Sequence, residues 1–210
     1  MERISNYDKQ REQWQKIFLN MDHQALARRL PEIELWEDSL RLRHFGRLLS
    51  VSRADGWITC LSDERPVSYN AWMNVFTLLY YCKPTAKLTG EWVSFEMLRD
   101  ASPFAAAFCK GILLPLADLF CGREDLLRPA VETLGGAQAA RNSYWLPAFA
   151  CIPVRLNFWD GDDEFPAQAN LLFDRSAVDF IHVESVVTIA SEAVSLLADA
   201  AGLEKDRRGL

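Results

Sequence analysis

Two strand-like runs bracketing a turn loaded with acids constrain this chain more than any other feature. Within residues 147–174, PAFACIPVRLNFWDGDDEFPAQANLLFD, the residues Ile152, Val154, Leu156 and Phe158 alternate with Pro153, Arg155, Asn157 and Trp159. A period of two puts one set on a core face and the other on the opposite face, so the run reads as a strand. Asp160-Gly161 supplies turn chemistry, because Gly accepts positive φ and Asp can bond its own backbone, and residues 169–173 resume as a second apolar run. The expectation is a hairpin with a long acidic tip, its loop fixed by Phe165 and Pro166 through a buried aromatic anchor.

Helical and strand periods mix irregularly elsewhere. Over residues 4–30, Trp14, Ile17, Phe18 and Met21 share a helical face, Asp22 suits a cap for a second helical stretch carrying Leu26 and Leu30, and Pro31 ends it. Asp55-Gly56 between β-formers is a hairpin signal. A two-residue turn there pairs Val51 with Cys60 and Arg53 with Ile58, leaving Leu49, Val51, Ile58 and Cys60 on the core face. Ser68 reads as an N-cap before the stripe Trp72, Val75, Phe76, Leu79 and Tyr80, which Pro84 stops. Residues 87–98 contain Gly90 and Trp92 and fit either a short strand or a lid-like loop.

Further on, Ser102-Pro103 starts a helix that runs to about Phe120, bent or interrupted at Pro115. A short helix over 124–134 ends at Gly135-Gly136, and a C-terminal helix over 185–201 ends at Gly202, followed by a charged tail, 204–210, expected to fray. Strand pairs beside runs of helices, without βαβ alternation, predict an α+β fold. Antiparallel hairpins would pack against several helices, with helices at both termini, in a single domain spanning residues 1–210.

A net charge of −6 argues against a nucleic-acid or anionic-membrane surface, where Lys and Arg must release counterions. The N-terminus is charged throughout, and the apolar stretches 101–109 and 111–117 are split by Lys110 and read as too short to cross a bilayer, which places the protein in the cytoplasm. Cys60, Cys82, Cys109, Cys121 and Cys151 are widely separated and form no C-x-x-C pair, so they read mostly as small buried hydrophobes, with convergence in the fold on a cluster or ion as the alternative.

Nothing in the residues fixes a reaction. Asp160, Asp162, Asp163 and Glu164, with Asp174 after the return strand, are the only concentration of hard-cation ligands, suited to Ca²⁺ or Mg²⁺. The EF-hand template fails, because Phe165 and Leu171 stand where Gly and Glu are required. The same acids could instead cap backbone N–H groups in a solvated turn. His182 is a candidate acid or base that Glu184 could orient, although H-x-E lacks the P-C-x-x-C of zinc deaminases. Hydrolase-elbow, P-loop, dinucleotide and zincin motifs are absent. Trp14 and Trp72 sit in helical stripes and read as core, whereas Trp92, Trp145 and Trp159, with Phe165, lie near irregular segments and could line a pocket for a flat ligand.

Taken together, Ile152-Pro153-Val154, the strand end at Trp159, Gly161-Asp162-Asp163-Glu164-Phe165-Pro166, Leu172-Phe173-Asp174 and Glu184 resemble the pattern of an uncharacterised bacterial and archaeal domain family of unknown function. Gly135-Gly136 is an upstream anchor of the resemblance, and Ser143 stands where the family pattern has Asp, so that position supports no site. Some members of that family stand beside an iron–sulfur domain with a four-cysteine motif, of the kind seen in corrinoid and anaerobic electron-transfer proteins; this chain has no such motif. The resemblance implies an accessory protein that binds a cofactor or protein partner in anaerobic redox or corrinoid-linked metabolism. Two alternatives stand beside it. One is a metal-assisted enzyme using Asp160, Asp162, Asp163 and Asp174 with His182. The other is an interaction module with an apolar patch rimmed by the acidic tip.

Overall fold

Side-chain caps set the first two helices of the structure, a computed structural model that describes residues 5–203. Ser5 accepts from the Tyr7 amide at the head of α1 (Asn6–Leu19), and Asp22 accepts from the Ala25 amide at the head of α2 (His23–Arg29). The expected helical start at Ile4 and the tail 204–210 lie outside the described residues.

A first antiparallel sheet follows, ordered β1 (Glu34–Leu35), β2 (Ser39–His44), β3 (Arg47–Ser52) and β4 (Ile58–Cys60). The β2–β3 turn is Phe45-Gly46, both at positive φ (47° and 76°), the mirror-image geometry that matches strand twist. The β3–β4 register corrects the expected one. Leu49 faces Cys60 and Val51 faces Ile58, because Ser52 and not Arg53 closes the ladder, its amide donating to Trp57 O at 2.8 Å. A slip of two residues preserves the faces, so the expected apolar set still points inward.

Ser68 caps α3 (Tyr69–Tyr81), which buries Trp72, Val75, Phe76 and Leu79. Residues 87–98 resolve into a short strand, β5 (Trp92–Ser94), and one turn of 3-10 helix. The helix at Ser102–Phe120 meets one expectation and corrects another. It runs to Phe120 as expected, and its α-helical course is interrupted just before Pro115: α4 (Ala105–Phe108) passes through a π-turn (Cys109–Leu113) into α5 (Leu114–Phe120), which places the proline in the first turn of α5, where its ring and missing N–H are tolerated. Being helical throughout, it is also long and apolar enough to cross a membrane by length and composition, despite Lys110; 28% of it is buried. The buried stripe Phe108, Ile112, Leu116 and Phe120 packs on the second sheet, with Phe108 edge-on to Phe173 and Phe120 edge-on to Phe158.

That second sheet is built from β5, α6 (Glu124–Thr133) leading into β6 (Ala137–Ala140), then β7 (Ser143–Phe149), β8 (Ile152–Trp159) and β9 (Gln168–Asp174), ordered β5-β9-β8-β7-β6 and antiparallel throughout. The expected late hairpin is its β8–β9 pair. The chain closes with α7 (Ala177–Phe180) and α8 (Val183–Ala200), the latter capped by His182. The fold is α+β.

One apolar cluster joins the two sheets, and a buried polar chain crosses it. His44 Nδ1 lies 2.7 Å from Ala148 O, so it is the protonated nitrogen; Nε2 accepts from Asn74 Nδ2 at 3.4 Å, and Asn74 Oδ1 accepts from Thr188 Oγ1 at 2.5 Å. Burial lowers the His44 imidazole to about 4, against the bond to Ala148, which raises it.

Candidate functional site

Register decides where the candidate aromatic residues go. Arg155 on β8 pairs with Trp145 on β7 and with Leu172 on β9; Trp92 on β5 pairs with Asp174, two residues beyond Leu172; Trp159 is four residues along from Arg155. Residues paired directly, or separated by an even number along a strand, share a face. Trp92, Trp145 and Trp159 therefore lie on one face, opposite the buried Ile152, Val154, Leu156 and Phe158.

This face is open. Trp145 and Trp159 are 36% and 45% exposed, and Asn157, Asn170 and Gln168 surround them with partly exposed amides. Arg155 sits at the centre, its guanidinium carbon 4.7 Å from the Trp92 ring centroid, and its Nε is buried without a hydrogen-bond partner among the described residues. Arg41 over Trp36 and Arg11 over Trp72 repeat the pairing elsewhere. From Arg155 to Trp159 the strand covers about 13 Å. That span exceeds a single aromatic base and suits a large flat ring.

Phe165 does not anchor the loop. It is 62% exposed, correcting the expected buried contact. Backbone bonding fixes the turn instead: Asp162 Oδ1 accepts from the amides of Glu164 and Phe165 at 2.9 and 2.8 Å, the Asp162 amide donates to Phe165 O, and Asp160 Oδ1 accepts from the amides of Gly161 and Gly122. The Glu164 and Phe165 amides hold the Asp162 carboxyl below its usual range. Gly161 is needed because a Cβ there would lie 2.9 Å from Ala167 N. Asp163 and Glu164 are exposed.

Asp174 lies apart from this turn and is buried. It accepts from the Thr89 amide and hydroxyl, the Gly90 amide, and the Ser176 amide and hydroxyl, at 2.6–3.1 Å. Burial pushes its carboxyl up, but the Ser176 and Thr89 bonds outweigh that and hold it at about 2. Its oxygens are occupied in pinning residues 89–90 to the end of β9. Among the described residues no three or more His, Cys, Asp and Glu side chains group so as to hold a metal ion.

His182 and Glu184 are both exposed at the head of α8, and the bond between them runs from the Glu184 amide to His182 Nδ1 at 3.3 Å. The imidazole thus caps a helix and lies 5.3 Å from the Tyr81 ring. The sequence reading missed Arg155 as the hub of the tryptophan face. Its only signal was its place on the outward side of an alternating strand.

A family model described as "Domain of unknown function (DUF3786)" matches residues 22–195. The chain belongs to this family. The resemblance drawn from residues 147–184 pointed to an uncharacterised domain family, and DUF3786 is one. No curated protein and no solved structure matches the chain. The DUF3786 segment takes in both sheets, the three tryptophans and the acidic turn, and leaves α1 outside it.

Proposed function

We propose that this DUF3786 protein is a binding module that presents the tryptophan face of its second sheet to a flat cofactor of corrinoid type, as an accessory of anaerobic redox or corrinoid-linked metabolism. The observation that carries the reading is the register that gathers Trp92, Trp145 and Trp159 around Arg155 on an open face. Indole rings supply flat apolar contact, and the amides of Asn157, Asn170 and Gln168 complement the amide rim of a corrin macrocycle. The metabolic setting rests on the family resemblance. The test is the absorption spectrum of protein purified without oxygen, before and after adding cobalamin; a bound corrinoid band supports the proposal.

A second reading, a protein-interaction module, draws on Phe165. Exposed between Glu164 and Pro166 and following on from Trp159, it forms an apolar point rimmed by Asp162, Asp163 and Glu164. A metal-assisted enzyme would require Asp160, Asp162 and Asp174 to exchange backbone and hydroxyl donors for an ion, with His182 leaving its cap to serve as acid or base.

A further inference from the structure

We propose that a cleft between the first two helices and the outer face of the first sheet binds a neutral saccharide, independently of the tryptophan face. The cleft holds about 970 Å³, within the range of small-molecule sites. Its floor is hydroxylated: Ser50 lies opposite Thr59 and Ser39 opposite Ser52, in cross-strand rungs facing away from Leu49, Val51 and Ile58.

One corner is a guanidinium held in place from behind. Arg53 Nε donates to His23 Nδ1 at 3.2 Å, while Nη1 donates to the carbonyls of Trp36 and Glu37 at 3.1 and 2.7 Å. His23 is itself 9% exposed, stacked 4.4 Å from Phe18 and bonded through Nε2 to Phe18 O at 3.0 Å, so Nδ1 is its acceptor nitrogen. Nε and Nη1 are committed to the protein, and Nη2 makes no hydrogen bond among the described residues, which leaves it for a ligand.

Carboxylates share the cleft lining with this cation. Asp38 gives one oxygen to Ser39 Oγ, leaving its second as acceptor, while Asp55 is bonded to the Trp57 amide and the Ser52 hydroxyl and offers a ligand only its remaining lone pairs; Asp22 and Glu37 complete the wall. At the rim Trp57 is 47% exposed and fixed edge-on against Trp72, with centroids 4.8 Å apart.

These groups select a ligand class. Four carboxylates repel a phosphate or nucleotide, and the fixed guanidinium among them works against a polyamine. A neutral polyol has hydroxyls that both donate to Asp38 and Asp55 and accept from Arg53. The apolar C–H face of a pyranose ring covers an exposed indole.

Calorimetric titration of the full chain with D-glucose, D-galactose, N-acetyl-D-glucosamine and cellobiose tests this, with spermidine and inorganic phosphate as charged comparators. Saturable binding of at least one sugar is expected at about millimolar strength or tighter. Trp57→Ala should weaken it at least about tenfold, equivalent to ~1.4 kcal/mol, and Asp38→Asn, which keeps an acceptor for Ser39, should weaken it while leaving the urea midpoint near the parent value. Leu114→Ala, exposed on α5 away from the cleft lining, should change nothing. Binding of none of the four sugars overturns the proposal, as does sugar binding that survives Trp57→Ala in folded protein, or saturable spermidine or phosphate binding in their place. A corrinoid result of either sign leaves this outcome untouched.

Discussion

The Arg155 guanidinium lies over the Trp92 ring, reaching from β8 to β5 across the intervening strand β9, with 4.7 Å between guanidinium carbon and ring centroid. The contact ties the edge strand β5, only three residues long, to the centre of the sheet. Arg155→Ala should lower stability by about 1 kcal/mol, the size of a partly desolvated cation–π pair, and should shift the Trp92 contribution to fluorescence. Urea unfolding of both proteins checks it; a midpoint unchanged in the variant would show the contact to be idle.

His44 makes stability depend on pH. Its folded value of about 4 lies below the ordinary 6.5, so between those values the unfolded chain binds a proton that the folded chain refuses. The stabilisation is complete above about pH 6.5 and declines as pH falls through 4, with a total loss on the order of 3 kcal/mol. Urea midpoints measured from neutral to mildly acidic pH should trace that decline, and imidazole NMR should find one ring titrating near its lower end.

Asp174 is a structural carboxylate in this account. Asp174→Asn should cost roughly 2–3 kcal/mol, because the new amide nitrogen confronts the donors of Thr89, Gly90 and Ser176. Binding of Mg²⁺ or Ca²⁺, followed by calorimetry, should be the same before and after the change. In wild type this carboxylate adds stability above its unfolded value near 4, which is lost as pH falls through about 2.

Gly136 has no room for a side chain: a Cβ would lie 2.3 Å from Trp145 O and 2.7 Å from Val131 Cγ1. Gly136→Ala should therefore destabilise by at least about 2 kcal/mol, since backbone and α6 must both shift. Thermal unfolding reads this directly. Gly90→Ala meets no atom within 4 Å and carries only the strain of its positive φ, 75°, so it should be milder.

Local rules explain what the sequence made legible. Ser68 and Asp22 are caps because short oxygen-bearing side chains can satisfy free helix amides, and the β8 alternation survives because both of its faces have fixed destinations. β6 escaped notice because Ala-Gln-Ala-Ala has neither β-branching nor alternation; pairing with β7 alone makes it a strand. Phe165 misled because a phenylalanine beside a turn usually finds a core, whereas here backbone bonds to Asp162 hold the loop without it. The tryptophan face and the chain linking His44, Asn74 and Thr188 join residues from separate strands and helices, and sequence spacing carries no record of that proximity.

Titration of anaerobically purified protein with hydroxocobalamin, comparing the parent with a Trp145→Ala, Trp159→Ala double variant, tests the central claim most directly. The parent should give a saturable change in corrin absorption, weakened at least about tenfold in a double variant whose urea midpoint stays close to the parent's, since both side chains lie on the exposed face. A colourless preparation that ignores added corrinoid, or equal binding by both proteins, would contradict it.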